Sequence, residues 1–111
     1  MSSGRHRGLL ARAAAAFALW MPAAEAVDPL AAGRKLFTEG ASPPCALCHT
    51  LADAGAAGAI GPVLDELKPD AERVAKAIRN GIGQMPSYRA TLSDADIEAL
   101  AEYVSKAAGR P

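Results

Sequence analysis

Apolar positions along the chain recur at helical spacing in three places. Between Ser93 and Gly109, the residues Ile97, Leu100, Ala101 and Val104 fall at i, i+3, i+4 and i+7, with Glu98, Glu102 and Lys106 among them. That pattern predicts one amphipathic helix. Ser93 stands three residues before Asp96, the spacing of a capping box with Asp in place of the usual Glu, and it marks the helix start. The segment from Asp70 to Gly81 offers Val74, Ala77 and Ile78 to a core and Arg73, Lys76 and Arg79 to water, which predicts a second helix. A third runs through "DPLAAGRKLFTEG", residues 28–40, with Asp28 as N-cap, Pro29 at the first helical position and Gly40 as stop. Leu30, Gly33, Leu36 and Phe37 share one face of it, and Gly33 leaves room for a close helix crossing. No stretch alternates with period two for long enough to predict a strand.

The connections have another texture. "ADAGAAGAIGPV" carries Gly55, Gly58 and Gly61 ahead of Pro62, and "GIGQMPSYRAT" carries Gly81, Gly83, Met85 and Pro86. Long loops in a small domain are either disordered or functional, and the glycines predict backbone lying close against something flat. The first residues differ again. Arg5, Arg7 and Arg12 precede an apolar run from Ala13 to about Ala24, which closes on the small residues Ala24 and Ala26. This is the layout of a secretory signal peptide, with cleavage expected after Ala26 and the product in the periplasm. The run is about a dozen residues, short of the roughly 20 that a membrane span needs. His6 separates Arg5 from Arg7, so a twin-arginine signal is not supported.

Removing residues 1–26 changes the inventory, because His6, Met1, Met21 and Trp20 leave with the leader and only His49 and Met85 remain of their kinds. Arg5, Arg7, Arg12 and Glu25 leave too, so twelve basic and twelve acidic residues become nine and eleven, a formal net charge of −2. Such a balance is no nucleic-acid footprint and no polybasic membrane surface. Residues 27–111 form one small, alanine-rich domain whose own core buries a modest apolar area. Domains of this size need a staple.

The stretch "CALCHT" holds both cysteines, Cys45 and Cys48, and His49, and four readings compete for it. A structural zinc site takes four protein ligands, and these three are the soft ones available. A thioredoxin-like dithiol wants a preceding strand in a parallel sheet. A disulfide across two residues closes so short a loop that it stabilises little. Haem attachment uses all three residues at this spacing: two thiols add to the two vinyl groups on one porphyrin edge, and the next histidine swings beneath the iron. An export signal agrees with it, since c-type haem is attached outside the cytoplasm. The second axial position then needs a ligand, and with the leader gone no second histidine exists. Met85 reads either as a gap-filling core residue or as a thioether ligand opposite His49.

With these residues in hand, the chain resembles a class I cytochrome c over residues 27–111. The resemblance rests on a first helix with Gly33 and Phe37, the motif Cys45-Ala46-Leu47-Cys48-His49, the segment Gly61-Pro62-Val63-Leu64, Met85-Pro86, and a last helix with Leu100 and Tyr103. It implies an all-α fold of three main helices and Gly-rich loops wrapped round one haem c, held through Cys45 and Cys48, with His49 and Met85 on the iron. It casts Pro62 as the residue whose carbonyl orients His49, and Gly33, Phe37, Leu100 and Tyr103 as the crossing of first and last helices. A porphyrin would give Leu64, Leu67, Val74 and Ile78 an apolar surface to bury against, so the chain without haem is expected to fold poorly.

More narrowly, the stretch from Leu36 to Asp70 is similar to small monohaem cytochromes of the periplasm that accept electrons from molybdenum-containing sulfite dehydrogenases. This implies a one-electron carrier, not an enzyme, passing electrons on to a terminal oxidase or another cytochrome. Arg73, Lys76 and Arg79 are the candidate basic patch for docking such partners, with an ordinary solvated face as the alternative. Two rival functions stay open. One is a peroxidase-like or ligand-binding haem protein in which Met85 is labile and Arg79, Tyr88 or Arg89 serves the distal side; the other is the cytochrome subunit of a stable enzyme complex.

Overall fold

Asp28 organises a short turn ahead of the first helix. Its Oδ1 accepts the Leu30 amide at 2.9 Å and its carbonyl accepts the Ala31 amide at 3.1 Å, an Asx-type turn through Pro29. Helix α1 therefore begins at Ala31 instead of Pro29, and covers Ala31–Lys35. It continues into a π-helical turn, Leu36–Gly40, closed by the Ala41 amide reaching back to the Leu36 carbonyl at 3.0 Å. The predicted stop at Gly40 is where this turn ends. The computed structural model describes Gly4, residues 13–21 and residues 27–110. The expected cleavage point after Ala26 and the arginines of the leader lie outside the described residues.

Among the described residues five α-helices follow one another: α1, α2 (Cys45–Cys48), α3 (Leu64–Leu67), α4 (Ala71–Asn80) and α5 (Asp94–Ala107). The fold is all-α in its architecture, as expected, but two of the helices are single turns the sequence did not announce. A four-residue helix holds barely one period of an amphipathic pattern. Two short strands were not expected either. Strands β1 (Thr50–Leu51) and β2 (Ala56–Ala57) pair antiparallel, Thr50 opposite Ala57 and Leu51 opposite Ala56, around a 3-10 turn at Ala52–Ala54. Two residues cannot display alternation.

The two longer helices start where their side chains predict. Asp70 Oδ1 accepts the Arg73 amide at 2.8 Å. In α5 the Ser93 hydroxyl accepts the Asp96 amide at 3.1 Å, and the Asp96 carboxylate accepts the Ser93 amide at 3.3 Å, a complete capping box. Ile97, Leu100, Ala101 and Val104 are all buried on the predicted stripe. In α4 only Ile78 is buried; Val74 and Ala77 are half-buried, because part of each faces a cavity.

Helices α1 and α5 cross at Gly33. A methyl group there would collide with the Ala99 carbonyl and the Tyr103 Cβ, so glycine alone permits this approach. Phe37 and Tyr103 meet edge to face beside the crossing, with centroids 6.1 Å apart and planes at 71°. The Tyr103 hydroxyl donates to Asp53 Oδ2 at 2.7 Å, and Arg34 bridges Asp53 and Asp28, each at 3.1 Å. Three segments distant in sequence are joined there.

The hydrogen bond from Tyr103, and after it the Arg34 guanidinium, holds the Asp53 carboxyl below the usual carboxylate range. A carboxyl whose folded pKa is depressed contributes stability above its unfolded pKa, and that contribution is lost as pH falls through the folded value. Asp53→Asn should therefore be less stable than the parent at about pH 6, with the difference shrinking toward about pH 3. Urea unfolding at the two pH values measures it. A difference that is the same at both would mean that the carboxylate charge plays no part.

Candidate functional site

Helix α2 places Cys45 and Cys48 one turn apart at i and i+3, so both thiols look to the same side. That side is a cavity of about 610 Å3, within the roughly 300–1,000 Å3 usual for cofactor sites. Both thiols are free, and burial pushes that of Cys45 up to about 11. His49 follows directly, with its amide on the Cys45 carbonyl at 3.0 Å.

The His49 ring is held in one orientation. Its Nδ1 lies 2.8 Å from the Pro62 carbonyl oxygen, and since a carbonyl can only accept, Nδ1 carries the proton and Nε2 keeps its lone pair. Such a contact fixes the tautomer and strengthens the imidazole as a ligand. The glycine loop makes this possible. A Cβ at Gly61 would sit 2.6 Å from His49 Cε1, and one at Gly58 would sit 2.6 Å from the Leu47 carbonyl oxygen. The flat surface that these glycines were expected to lie against is, at Gly61, the imidazole itself.

Met85 comes from the other glycine loop, in a turn closed by its amide on the Ile82 carbonyl at 2.9 Å and the Ile82 amide on its own carbonyl at 3.1 Å. It is half-buried and lines the same cavity. Leu64, at the start of α3, is buried in its wall, and Pro62 also borders it. The structure thus brings Cys45, Cys48, His49, Pro62, Leu64 and Met85 to one cavity. Leu67, Val74 and Ile78 line it too, together with Phe37, which has one edge on the helix crossing.

The basic patch is corrected. Arg73 and Lys76 stand exposed at the cavity, whereas Arg79 turns toward Asp94, its Nε 3.8 Å from the Asp94 carboxylate. Steps of three along a helix of 3.6 residues per turn precess by about 60° each, which carries Arg79 about 120° away from Arg73. The side chains considered for a peroxidase-like distal side are otherwise engaged: Arg79 as above, Arg89 with the Asn80 side chain at 3.2 Å, and Tyr88 with the Pro43 carbonyl at 2.7 Å. Tyr88 is buried and borders the cavity, a placement that no local pattern in the loop signalled.

The chemistry of the donor set fits a covalently held haem. Two thiols on one face of a helix, an imidazole with a free Nε2, a thioether in an arm of the same apolar cavity and a glycine cradle that any side chain would fill are what such a group requires. A fold of this kind with this motif at the mouth of its cavity defines a c-type cytochrome. The chain belongs to that family: the family model described as cytochrome C oxidase, cbb3-type, subunit III matches residues 28–104. Among solved structures it is similar to the c-type cytochrome SorU from Sinorhizobium meliloti, with 61% identity over 75% of this chain and 94% of that one and a TM-score of 0.72. No curated protein matches the chain. Among the described residues, no helix is long and apolar enough to cross a membrane.

Proposed function

We propose that this protein is a periplasmic one-electron carrier, exported by a cleaved leader, that holds one haem c through Cys45 and Cys48 with His49 and Met85 as axial ligands. The observation that carries the reading is the His49 Nδ1 to Pro62 contact at 2.8 Å, which leaves Nε2 free in a cavity also lined by both thiols and the only methionine beyond residue 26. The haem supplies reversible ferric/ferrous chemistry. The chain supplies the rest. Pro62 holds the imidazole and its proton in place. Leu64, Val74 and Ile78 line the cavity and would pack against the haem, keeping water from it. The Met85 thioether would favour the reduced state and raise the potential. A haem held by both His49 and Met85 would leave no position for a substrate, which would suit a carrier and not a peroxidase.

The donor is a molybdenum-containing sulfite dehydrogenase, and the acceptor is a terminal oxidase or another cytochrome. Redox encounters bury little surface, below about 1,200 Å2, so a few charges at the cavity mouth steer them. Arg73 and Lys76 are exposed there, and neither forms an ion pair among the described residues. They fit an acidic patch on the partner. Stopped-flow reduction of the ferric protein by a sulfite dehydrogenase with sulfite tests the donor. Reduction should be fast at low salt and slow as ionic strength rises, and Lys76→Glu should lower the low-salt rate with the haem spectrum unchanged. Slow reduction at every ionic strength would remove this donor and leave the carrier reading standing.

A further inference from the structure

Two segments far apart in the chain wall the cavity: Pro43 to His49, with both thiols and the imidazole, and Gly81 to Tyr88, with Met85. Among the described residues a single hydrogen bond joins them. The Tyr88 hydroxyl donates to the Pro43 carbonyl at 2.7 Å, across 45 positions. The ring that carries this hydroxyl is only 5% exposed. Its backbone is rooted as well: the Tyr88 amide donates to the Ile78 carbonyl in α4 at 2.8 Å, and its own carbonyl accepts the Leu92 amide at 2.9 Å.

The turn carrying Met85 has no such anchorage of its own. Its hydrogen bonds are the reciprocal pair between Ile82 and Met85, which are local, and Ile82 is 70% exposed. Gly81 folds the turn back on itself with φ at +69°, so closely that a Cβ there would lie 2.7 Å from the Met85 carbonyl oxygen. Both ends of the arm return to α4: the Gly81 amide donates to the Ala77 carbonyl at 2.8 Å, and at the far end the Ser87 hydroxyl donates to the Arg79 carbonyl at 2.5 Å beside the Tyr88 amide. What fastens its far end across the cavity is Tyr88, three residues beyond Met85.

We propose that Tyr88 is a positioning residue: its hydroxyl latches the Met85 arm to the segment that leads into Cys45, and so sets how long Met85 stays on the iron. The proposal rests on the reading of Met85 as a ligand. Opening the arm breaks this hydrogen bond, and an intramolecular hydrogen bond shifts such an equilibrium by about fivefold to tenfold. Phenylalanine at this position keeps the ring in its packing and removes only the latch. The open population rises by the same factor, and an outside ligand that must wait for Met85 to leave binds correspondingly faster.

The test is imidazole binding to the ferric holoprotein, followed by stopped-flow absorbance to the limiting rate at high imidazole. Tyr103→Phe is the matched control, because it also deletes a tyrosine hydrogen bond of 2.7 Å, to Asp53, in a different part of the fold. Tyr88→Phe should raise the limiting rate about fivefold to tenfold, and Tyr103→Phe less than about twofold. Equal rates in Tyr88→Phe and the parent, or an equal rise in both variants, would overturn the latch. A parent protein that lacks the thioether-to-iron absorption band would overturn the ligand reading and the latch with it, whereas the band with unchanged rates overturns the latch alone. If Tyr88→Phe does not accumulate as holoprotein, Pro43→Gly loosens the acceptor's backbone with Tyr88 in place. A severalfold faster limiting rate in that variant supports the latch, and an unchanged one overturns it.

Discussion

Replacing Cys45 and Cys48 together with serine is expected to give a chain that retains no haem and holds no stable fold. The expectation comes from where the apolar side chains point. Ile60, Leu67, Val74, Ala77 and Ile82 all border the cavity of about 610 Å3 and are exposed or half-buried there, so a large part of the apolar wall faces a space that a bound group would fill. Burying one such side chain contributes about 1.5–3 kcal/mol, and a whole domain is stable by only about 5–15 kcal/mol. Losing the contact partner of several walls at once exceeds that margin. Circular dichroism of the exported double variant should show most helical signal gone, and acid-organic extraction should strip it of colour. A folded variant that keeps its colour through extraction would mean that the thiols neither attach the group nor complete the core.

The same cavity explains which parts of the fold were legible in the sequence. Helix α5 could be read residue by residue, because its stripe and its capping box are local and the stripe is buried, even where Leu100 and Val104 reach the cavity wall. Helix α4 could be read only by its ends. Val74 and Ala77 obey the helical period, yet each also faces the cavity, and they come out half-buried. The first helix starts later than its Asp-Pro signal suggests, since Asp28 spends its carboxylate on the turn and on Arg34.

The candidate site residues could be proposed from the sequence because haem attachment asks for a set spacing, two thiols and an imidazole in five residues, and because residues 27–111 hold a single methionine. What could not be read is the polar scaffolding around them. Asp53 meets Tyr103 across 50 positions, and Asp65 accepts the amides of Ala52 and Gly109, each at 2.9 Å, from segments 13 and 44 positions away. A lone aspartate in a loop carries no periodicity that would announce such partners. Tyr88 is the same kind of case, visible as an aromatic near Met85 but silent about Pro43.

Met85→Ala is expected to do the reverse of the cysteine variant, sparing the fold and changing the iron. The turn that presents Met85 is closed by backbone bonds between Ile82 and Met85 at 2.9 and 3.1 Å, which alanine makes equally well, and Met85 is only half-buried. Helical content should therefore stay near the parent value. The long-wavelength absorption of the oxidised protein, which reports sulfur on iron, should vanish. A thioether favours ferrous iron, so the potential should fall, on the order of 0.1 V or more within the ~0.8 V that axial ligands span. Carbon monoxide should bind the reduced variant within mixing, where the parent resists it. Spectroelectrochemistry and a carbon monoxide titration read all three. If the band, the potential and the resistance to carbon monoxide survive the substitution, the thioether is a packing residue of the cavity wall, and the second axial ligand must be sought elsewhere in the chain.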